Sequence, residues 1–233
     1  NGLFFEYGGF NMRKVLILTD STCDLSNELL KERNIQFIPL KVCFNEEMYK
    51  DMLEINTTEM YNKVDQLGIL PKTAAATIFE FEEKFTKYVS EGYDVIYIGI
   101  GGALSSTYQN SVMAMQDLKF KYPERKIYIV DSLGGSSGSG LLVDELADLR
   151  DEGKTIDELK EWIYQNRLKL QHWLFSSDLT YFMKGGRISK TAGIVGTILN
   201  ICPMINVDKE GKMIPRYKVR GKKRAKEALV KQM

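Results

Sequence analysis

A single histidine, His172, stands in 233 residues. That scarcity excludes most imidazole catalysis and every His-rich metal site. Cysteine is nearly as sparse. Cys23, Cys43 and Cys202 are far apart, odd in number and without metal-ligand spacing. No disulfide framework can be built from them, and they read as buried thiols of a reducing compartment, the cytoplasm. An excess of charge is missing too, since 32 basic and 31 acidic side chains leave a net +1. A nucleic-acid binder would show a basic surplus, so no nucleic-acid partner is expected. There is no run of about 18 apolar residues and therefore no expected membrane span. Internal repeats and low-complexity linkers are also absent.

What is present suits an α/β protein. Hydrophobic residues make up 44% of the chain, enough for one large domain or two small ones. Residues 1–11 carry no basic segment and no adequate apolar core for a signal peptide. They are set aside as a leader or upstream extension. Val15–Leu18 predicts a strand, Ile35–Phe44 a second extended stretch, Val95–Ile100 a central strand and Lys126–Val130 another. Helices are predicted from Thr57, over Phe79–Val89 with Phe81, Phe85 and Tyr88 on one face, over Thr107–Leu118, and from Gly138. This alternation argues for a mostly parallel sheet covered by helices, in an N-terminal domain of residues 12–153.

The pattern changes after Asp151-Glu152-Gly153. Thr155-Ile156-Asp157-Glu158 is a capping box opening a helix through Leu168. A short strand follows at Trp173–Ser176, then a short helix opened by Asp178 and ended by Gly185-Gly186. An apolar helical stretch spans Ile194–Leu199. Pro203–Val207 and Lys212–Val219 predict a hairpin. Residues 154–233 thus read as a second, smaller α/β domain of mixed character. The chain stops inside a helical pattern at 224–230, which suggests that this domain is truncated.

Ligands of parallel α/β sheets bind where strands end. Three such ends here carry hydroxyls or glycines: Thr19-Asp20-Ser21-Thr22, Gly99 to Thr107, and Asp131-Ser132 with Gly134 to Gly140. A fourth hydroxyl loop, Lys72 to Thr77, precedes a helix. In the Gly101–Thr107 loop, glycines let the backbone approach an anion, free N–H groups at the helix start point at it, and Ser105 and Thr107 add hydroxyls. Helix capping by Ser105, Ser106 or Thr107 is an equal reading of the same spacing. The loop has no P-loop lysine, and Leu104 replaces the third glycine of a dinucleotide motif after Gly99 and Gly101. A carboxylate fits better than a triphosphate.

Enzymatic alternatives remain. Asp20 and Asp131 could hold a metal for a small-molecule phosphotransferase, although such acids more often cap helices. Ser105 could be the nucleophile of a serine hydrolase if His172 reached it. His172 sits in an apolar context beside Trp173, and no Gly-x-Ser-x-Gly surrounds Ser105. A regulatory or DNA-binding role is the weakest reading. Lys184-Gly185-Gly186-Arg187-Ile188-Ser189-Lys190 would present Arg187 on a constrained turn to a partner or a phosphate. Arg220-Gly221-Lys222-Lys223-Arg224 reads as solvated surface.

Several segments, in order, resemble the DegV family of fatty-acid-binding proteins. They are Asp20-Ser21-Thr22-Cys23-Asp24-Leu25, Lys72-Thr73, Leu104-Ser105-Ser106-Thr107-Tyr108-Gln109, Asp131-Ser132 with Gly138–Leu142, and Leu179–Ser189. The region from Pro203 to Lys223 also fits. The resemblance implies two α/β domains with a long-chain fatty acid in a tunnel between them. It implies that Thr73 and Ser105 hold the carboxylate, with Ser21, Gly102, Ser106 and Thr107 as further loop contacts. Apolar walls would come from Ile78, Phe79, Ile194 and Ile198. It implies a carrier rather than an enzyme, with no catalytic residue, cofactor or metal of its own. A partner fatty acid kinase would phosphorylate the bound acid, with Arg187 at the docking surface or near the phosphate. Transient membrane contact for lipid exchange is compatible with that role. The chain departs from the family at Ala74 (serine), Ala76 (proline), Ser106 (glycine) and Gly101-Gly102 (serines). The family's C-terminal, His-containing glycine-rich motif is missing. These departures bear on head-group geometry and on kinase interaction.

Overall fold

The structure is a computed structural model that describes residues 14–188 and 200–232. Residues 1–11, read above as a leader, and the apolar stretch with Ile194 and Ile198 lie outside the described residues, as do Ser189 and Lys190.

β1 (Val15–Asp20) leads through a 3₁₀ turn at Ser21–Cys23 to α1 (Asn27–Glu32), which the Ser26 side chain caps. β2 (Ile35–Ile38) follows. The stretch expected to be extended over 35–44 is two strands in different sheets. Pro39 has no N–H to give a ladder, and the Leu40 N–H donates to Ser21 Oγ at 3.0 Å. Beyond that break β3 (Lys41–Phe44) pairs antiparallel with β4 (Glu47–Lys50). α2 (Thr57–Leu67) has a complete capping box from Asn56 and Glu59 but buries no residue. β5 (Lys72–Ala74) then pairs with β3, so the hydroxyl loop expected at 72–77 begins as an edge strand of a three-stranded sheet, β4-β3-β5.

α3 (Ile78–Ser90), β6 (Asp94–Gly99), α4 (Thr107–Lys121), β7 (Ile127–Asp131) and α5 (Ser136–Asp151) complete the alternation. The main sheet has the order β2-β1-β6-β7, and every pairing in it is parallel. Successive strand residues point to opposite faces. Ile17, Ile96, Ile98 and Val130 pack beneath α5, whereas Leu16, Leu18, Val95 and Tyr97 pack against α3 and α4. Both faces are covered, which is why β1 and β6 are almost wholly buried. Strand order reverses between β1, whose next strand β2 lies on one side, and β6, whose next strand β7 lies on the other. The carboxyl ends of these two strands form the topological switch point.

α6 (Ile156–Asn166), expected to open the second domain, instead places Ile156, Leu159 and Ile163 in the core of the main sheet. β8 (Trp173–Phe175), α7 (Thr180–Lys184), β9 (Ile201–Val207), β10 (Met213–Arg220) and α8 (Lys222–Val230) follow. Their sheet, β10-β9-β8, is antiparallel. Ile205 of β9 packs with Leu179 and Ile188 on one face, while Cys202 and Met204 pack with Ala225 of α8 on the other. The expected hairpin is present, and Asp208 Oδ1 takes the N–H groups of Glu210 and Lys212 in its turn.

The packing of α3 on the sheet is aromatic. The fully buried Phe81 ring meets Tyr97 edge-on at 5.0 Å and lies 5.6 Å from Phe85. Phe81→Ala is expected to cost roughly 3–5 kcal/mol, measured from urea unfolding midpoints. A loss below about 1 kcal/mol would mean that this face is not the core it is taken to be.

Candidate functional site

The switch point is built around Asp20. Its side chain is fully buried and accepts hydrogen bonds from Thr22 N (3.0 Å), Thr22 Oγ1 (2.5 Å), Tyr97 OH (2.7 Å) and Ile100 N (2.9 Å). Burial, followed by the charge and hydrogen bond of Asp20, pushes the Tyr97 phenol far up, so it stays protonated and donates. Gly99 lies over this pair, and a Cβ there would sit 2.1 Å from both Asp20 Oδ2 and Tyr97 OH. Asp131 does similar work on the next strand, accepting from Leu133 N at 2.8 Å and from Gly102 N at 3.2 Å. Both acids hold loop backbone in place. No group of three His, Cys, Asp or Glu side chains among the described residues is arranged for a metal ion.

Between these anchors runs the Gly101–Thr107 loop. Gly101 N donates to Gly134 O at 2.7 Å, and Leu104 N and Ser105 N turn back onto Gly101 O. Ser105 is half-buried. Its Oγ pairs with Thr107 Oγ1 at 2.9 Å and accepts from Thr107 N at 3.2 Å. Ser105, one residue before the N-cap, thus takes the N–H of the first residue of α4. Ser106 occupies the N-cap position but makes no side-chain cap bond, and Thr107 is fully buried. Gly102 is exposed, and a Cβ there would lie 2.9 Å from the Tyr108 ring. Ser21 is buried and already accepts from Leu40 N.

Thr73 lies on the exposed edge strand β5, opposite Val42. Asn110, one turn into α4, ties the loop after Thr73 to the helix that follows Ser105, donating from Nδ2 to Ala76 O at 2.7 Å. Phe79, expected to wall an apolar channel, is 71% exposed. The helical period that turns Phe81 and Phe85 inward turns Phe79 outward. Ile78 packs against the core on that side. Arg187, in the turn after α7, donates from Nε to Leu104 O at 2.9 Å and from Nη1 to Gly185 O at 2.6 Å. Its guanidinium thus meets the carbonyl next to Ser105.

His172 does not join Ser105. Its ring lies against Gly134 and Gly138, where a Cβ would come within 2.4 and 2.3 Å of ring atoms. Its Nε2 is buried without a hydrogen-bond partner, and its carbonyl accepts from Val207 N and Asn206 Nδ2 at 3.1 Å each. Sequence reasoning missed Asn110 altogether. It also missed Lys41, a buried cation beside the same loop that pairs with Glu80. A lone lysine opening an apolar strand was the available signal.

Residues 14–233 match the family model described as an uncharacterised protein of the DegV family. The chain belongs to the DegV family. A DegV domain-containing protein of Clostridium perfringens is 35% identical over 224 residues, covering 95% of this chain and 77% of that one. Another, from Clostridium acetobutylicum, is 36% identical over 214 residues, covering 92% and 75%. The solved structure of a DegV family protein from Thermus thermophilus, described by its fatty acid binding, superposes with a TM-score of 0.83 at 30% identity, covering 95% of this chain and 76% of that one. A Thermotoga maritima protein described as revealing a fatty acid binding function gives 0.79 at 29%, covering 94% and 76%. No helix among the described residues of this DegV chain is long and apolar enough to cross a membrane.

Two outcomes test this architecture. Asp20→Asn turns an acceptor of four hydrogen bonds into a group that must also donate, and is expected to cost on the order of 3 kcal/mol in urea unfolding. Tyr97→Phe, which removes one donor, should cost roughly half as much; the reverse order would contradict the anchoring role. The second concerns pH. Burial holds the His172 imidazole below its ordinary value, so the folded chain keeps it neutral. The unfolded chain binds that proton first, near pH ~6.5. Stability is therefore whole above that pH and declines as pH falls through it. Unfolding midpoints between about pH 7.5 and 5.5 should fall for the native chain and fall less for His172→Gln, whereas parallel curves would refute the assignment.

Proposed function

We propose that this DegV chain binds one long-chain fatty acid by its carboxylate and presents it to a partner fatty acid kinase. The observation that carries the reading is the resemblance to DegV proteins from Thermus thermophilus and Thermotoga maritima that are described as binding fatty acid. The chemistry of the switch point supports it. Asp20 and Asp131 are committed to backbone and to Tyr97, and Ser105 has no base among its hydrogen-bond partners. What the loops can offer a ligand is hydroxyl and N–H donors, the complement of a carboxylate.

In this reading Thr73 and Ser105 hold the carboxylate, with Ser21, Gly102, Ser106 and Thr107 shaping the loops around it. Desolvating a carboxylate is costly unless such donors receive it. The acyl chain supplies most of the affinity, at roughly 0.8 kcal/mol per buried CH₂. A dozen methylenes contribute on the order of 10 kcal/mol before the losses of association. The chain occupies a tunnel between two units. We place their join after α6, because that helix belongs to the core of the main sheet. Arg187, bonded to the carbonyl before Ser105, faces the kinase or the transferred phosphate. The carrier works in the cytoplasm without a cofactor or metal, and meets membranes only transiently to exchange lipid.

Purified protein, denatured and extracted for lipid mass spectrometry, should release a long-chain fatty acid. Thr73→Ala combined with Ser105→Ala should weaken fatty acid binding by roughly a hundredfold, the worth of two charge-assisted hydrogen bonds. Absence of any co-purified acid, together with unchanged affinity in the double variant, would overturn the carboxylate assignment.

A further inference from the structure

We infer that Asn110 is a positioning residue that sets the geometry of the carboxylate site, holding the Thr73 loop in register with the Ser105 helix; the inference rests on the proposed fatty acid reading and deepens it. Neither proposed hydroxyl can set that geometry alone. Thr73 sits on an edge strand of the small β4-β3-β5 sheet, whereas Ser105 sits in the loop between β6, a central strand of the main sheet, and α4. A head group shared by both requires the two sheets to hold a constant spacing.

Ala75, Ala76 and Thr77, which join β5 to α3, are each gripped by a side chain from a different element. Lys41 Nζ of β3 donates to Ala75 O at 3.5 Å and pairs with Glu80 of α3. Glu80 in turn accepts from Thr77 N and Thr77 Oγ1, both at 2.8 Å. Asn110 Nδ2 donates to Ala76 O at 2.7 Å. Of these three, the Asn110 bond alone crosses to α4, whose first residue, Thr107, is bonded to Ser105. Ala76 is fully buried, so its carbonyl has no water to turn to if the amide is lost. The route from one hydroxyl to the other therefore runs Thr73, Ala76, Asn110, Thr107, Ser105.

The donor must be the amide nitrogen, because a backbone carbonyl can only accept. Asn110→Ala removes the donor. Asn110→Asp keeps the shape but sets a carboxylate against the Ala76 carbonyl, and lowering the pH puts a donating proton back. The measurement is the affinity for hexadecanoic acid and, in parallel, for its methyl ester, which has the same chain and no carboxylate. The native chain should prefer the acid. Asn110→Ala should lose about tenfold in acid affinity, equivalent to about 1.4 kcal/mol, with ester affinity unchanged. For Asn110→Asp the deficit relative to the native chain should shrink between about pH 7.5 and 5. Hydrogen exchange of segment 72–77 in the ligand-free protein should quicken in both variants. If the native chain prefers the acid and Asn110→Ala retains that preference, or loses acid and ester binding equally, the positioning role is wrong. If the native chain shows no preference for the acid, the carboxylate reading itself has failed and the role falls with it.

Discussion

A carboxylate buried at the end of the first strand is the constraint on which the rest of this molecule depends. Left unpaired, Asp20 would be prohibitively costly to desolvate. Its donors come from the turn at Thr22, the middle of β6 at Tyr97 and the backbone just beyond β6 at Ile100. Satisfying one side chain thus ties the end of β1 to β6 and aims the loop that follows. Gly99 is forced by the same arrangement, since any Cβ would overlap the Asp20–Tyr97 pair. One strand further on, Asp131 holds Gly102 in the same manner. The glycines and hydroxyls of the Gly101–Thr107 loop can face a ligand because two acids behind them take up backbone N–H groups.

The segments flanking β8 and α7 meet this frame at two points of unlike character. Arg187 donates to the Leu104 carbonyl from an exposed position. His172 is pressed onto two glycines of the Gly134–Gly140 loop with one ring nitrogen unpaired. The first is a polar contact beside Ser105. The second is a steric fit that allows no side chain on either glycine, which accounts for much of the glycine in that loop better than an anion site does. Together they bring the antiparallel sheet against the strand ends where the family's ligand chemistry is proposed.

Much of this was legible in the chain itself. Continuous apolar runs identified β1 as a strand and β6 as a central one, and the spacing of Phe81, Phe85 and Tyr88 located the buried face of α3. The capping box at Thr155 marked a helix start that the structure reproduces. Less was legible where partners are distant. The run Ile35–Phe44 looked continuous because nothing local reveals that the Leu40 N–H is claimed by Ser21. α6 looked like the start of a new unit because a capping box says nothing about which core the helix will join. Ser105 offered two readings, an anion donor or a helix cap; it lies one residue before the N-cap and takes the N–H of Thr107, a bond that spacing alone does not specify.

The sequence by itself determined the alternating architecture, the family, and the exclusion of histidine-rich and disulfide chemistry. These follow from periodicity, composition and ordered motifs, all of which are local or countable. Tertiary structure alone decided that Asp20 and Asp131 are anchors, that His172 is a packing residue away from Ser105, and that Asn110 joins the loop after Thr73 to α4. The anchors and the Asn110 link depend on donors and acceptors brought together across 29 to 80 positions, and the His172 fit on glycines equally distant in the chain. Spacing along a chain cannot reveal which hydrogen-bonding groups will lose their water to one another.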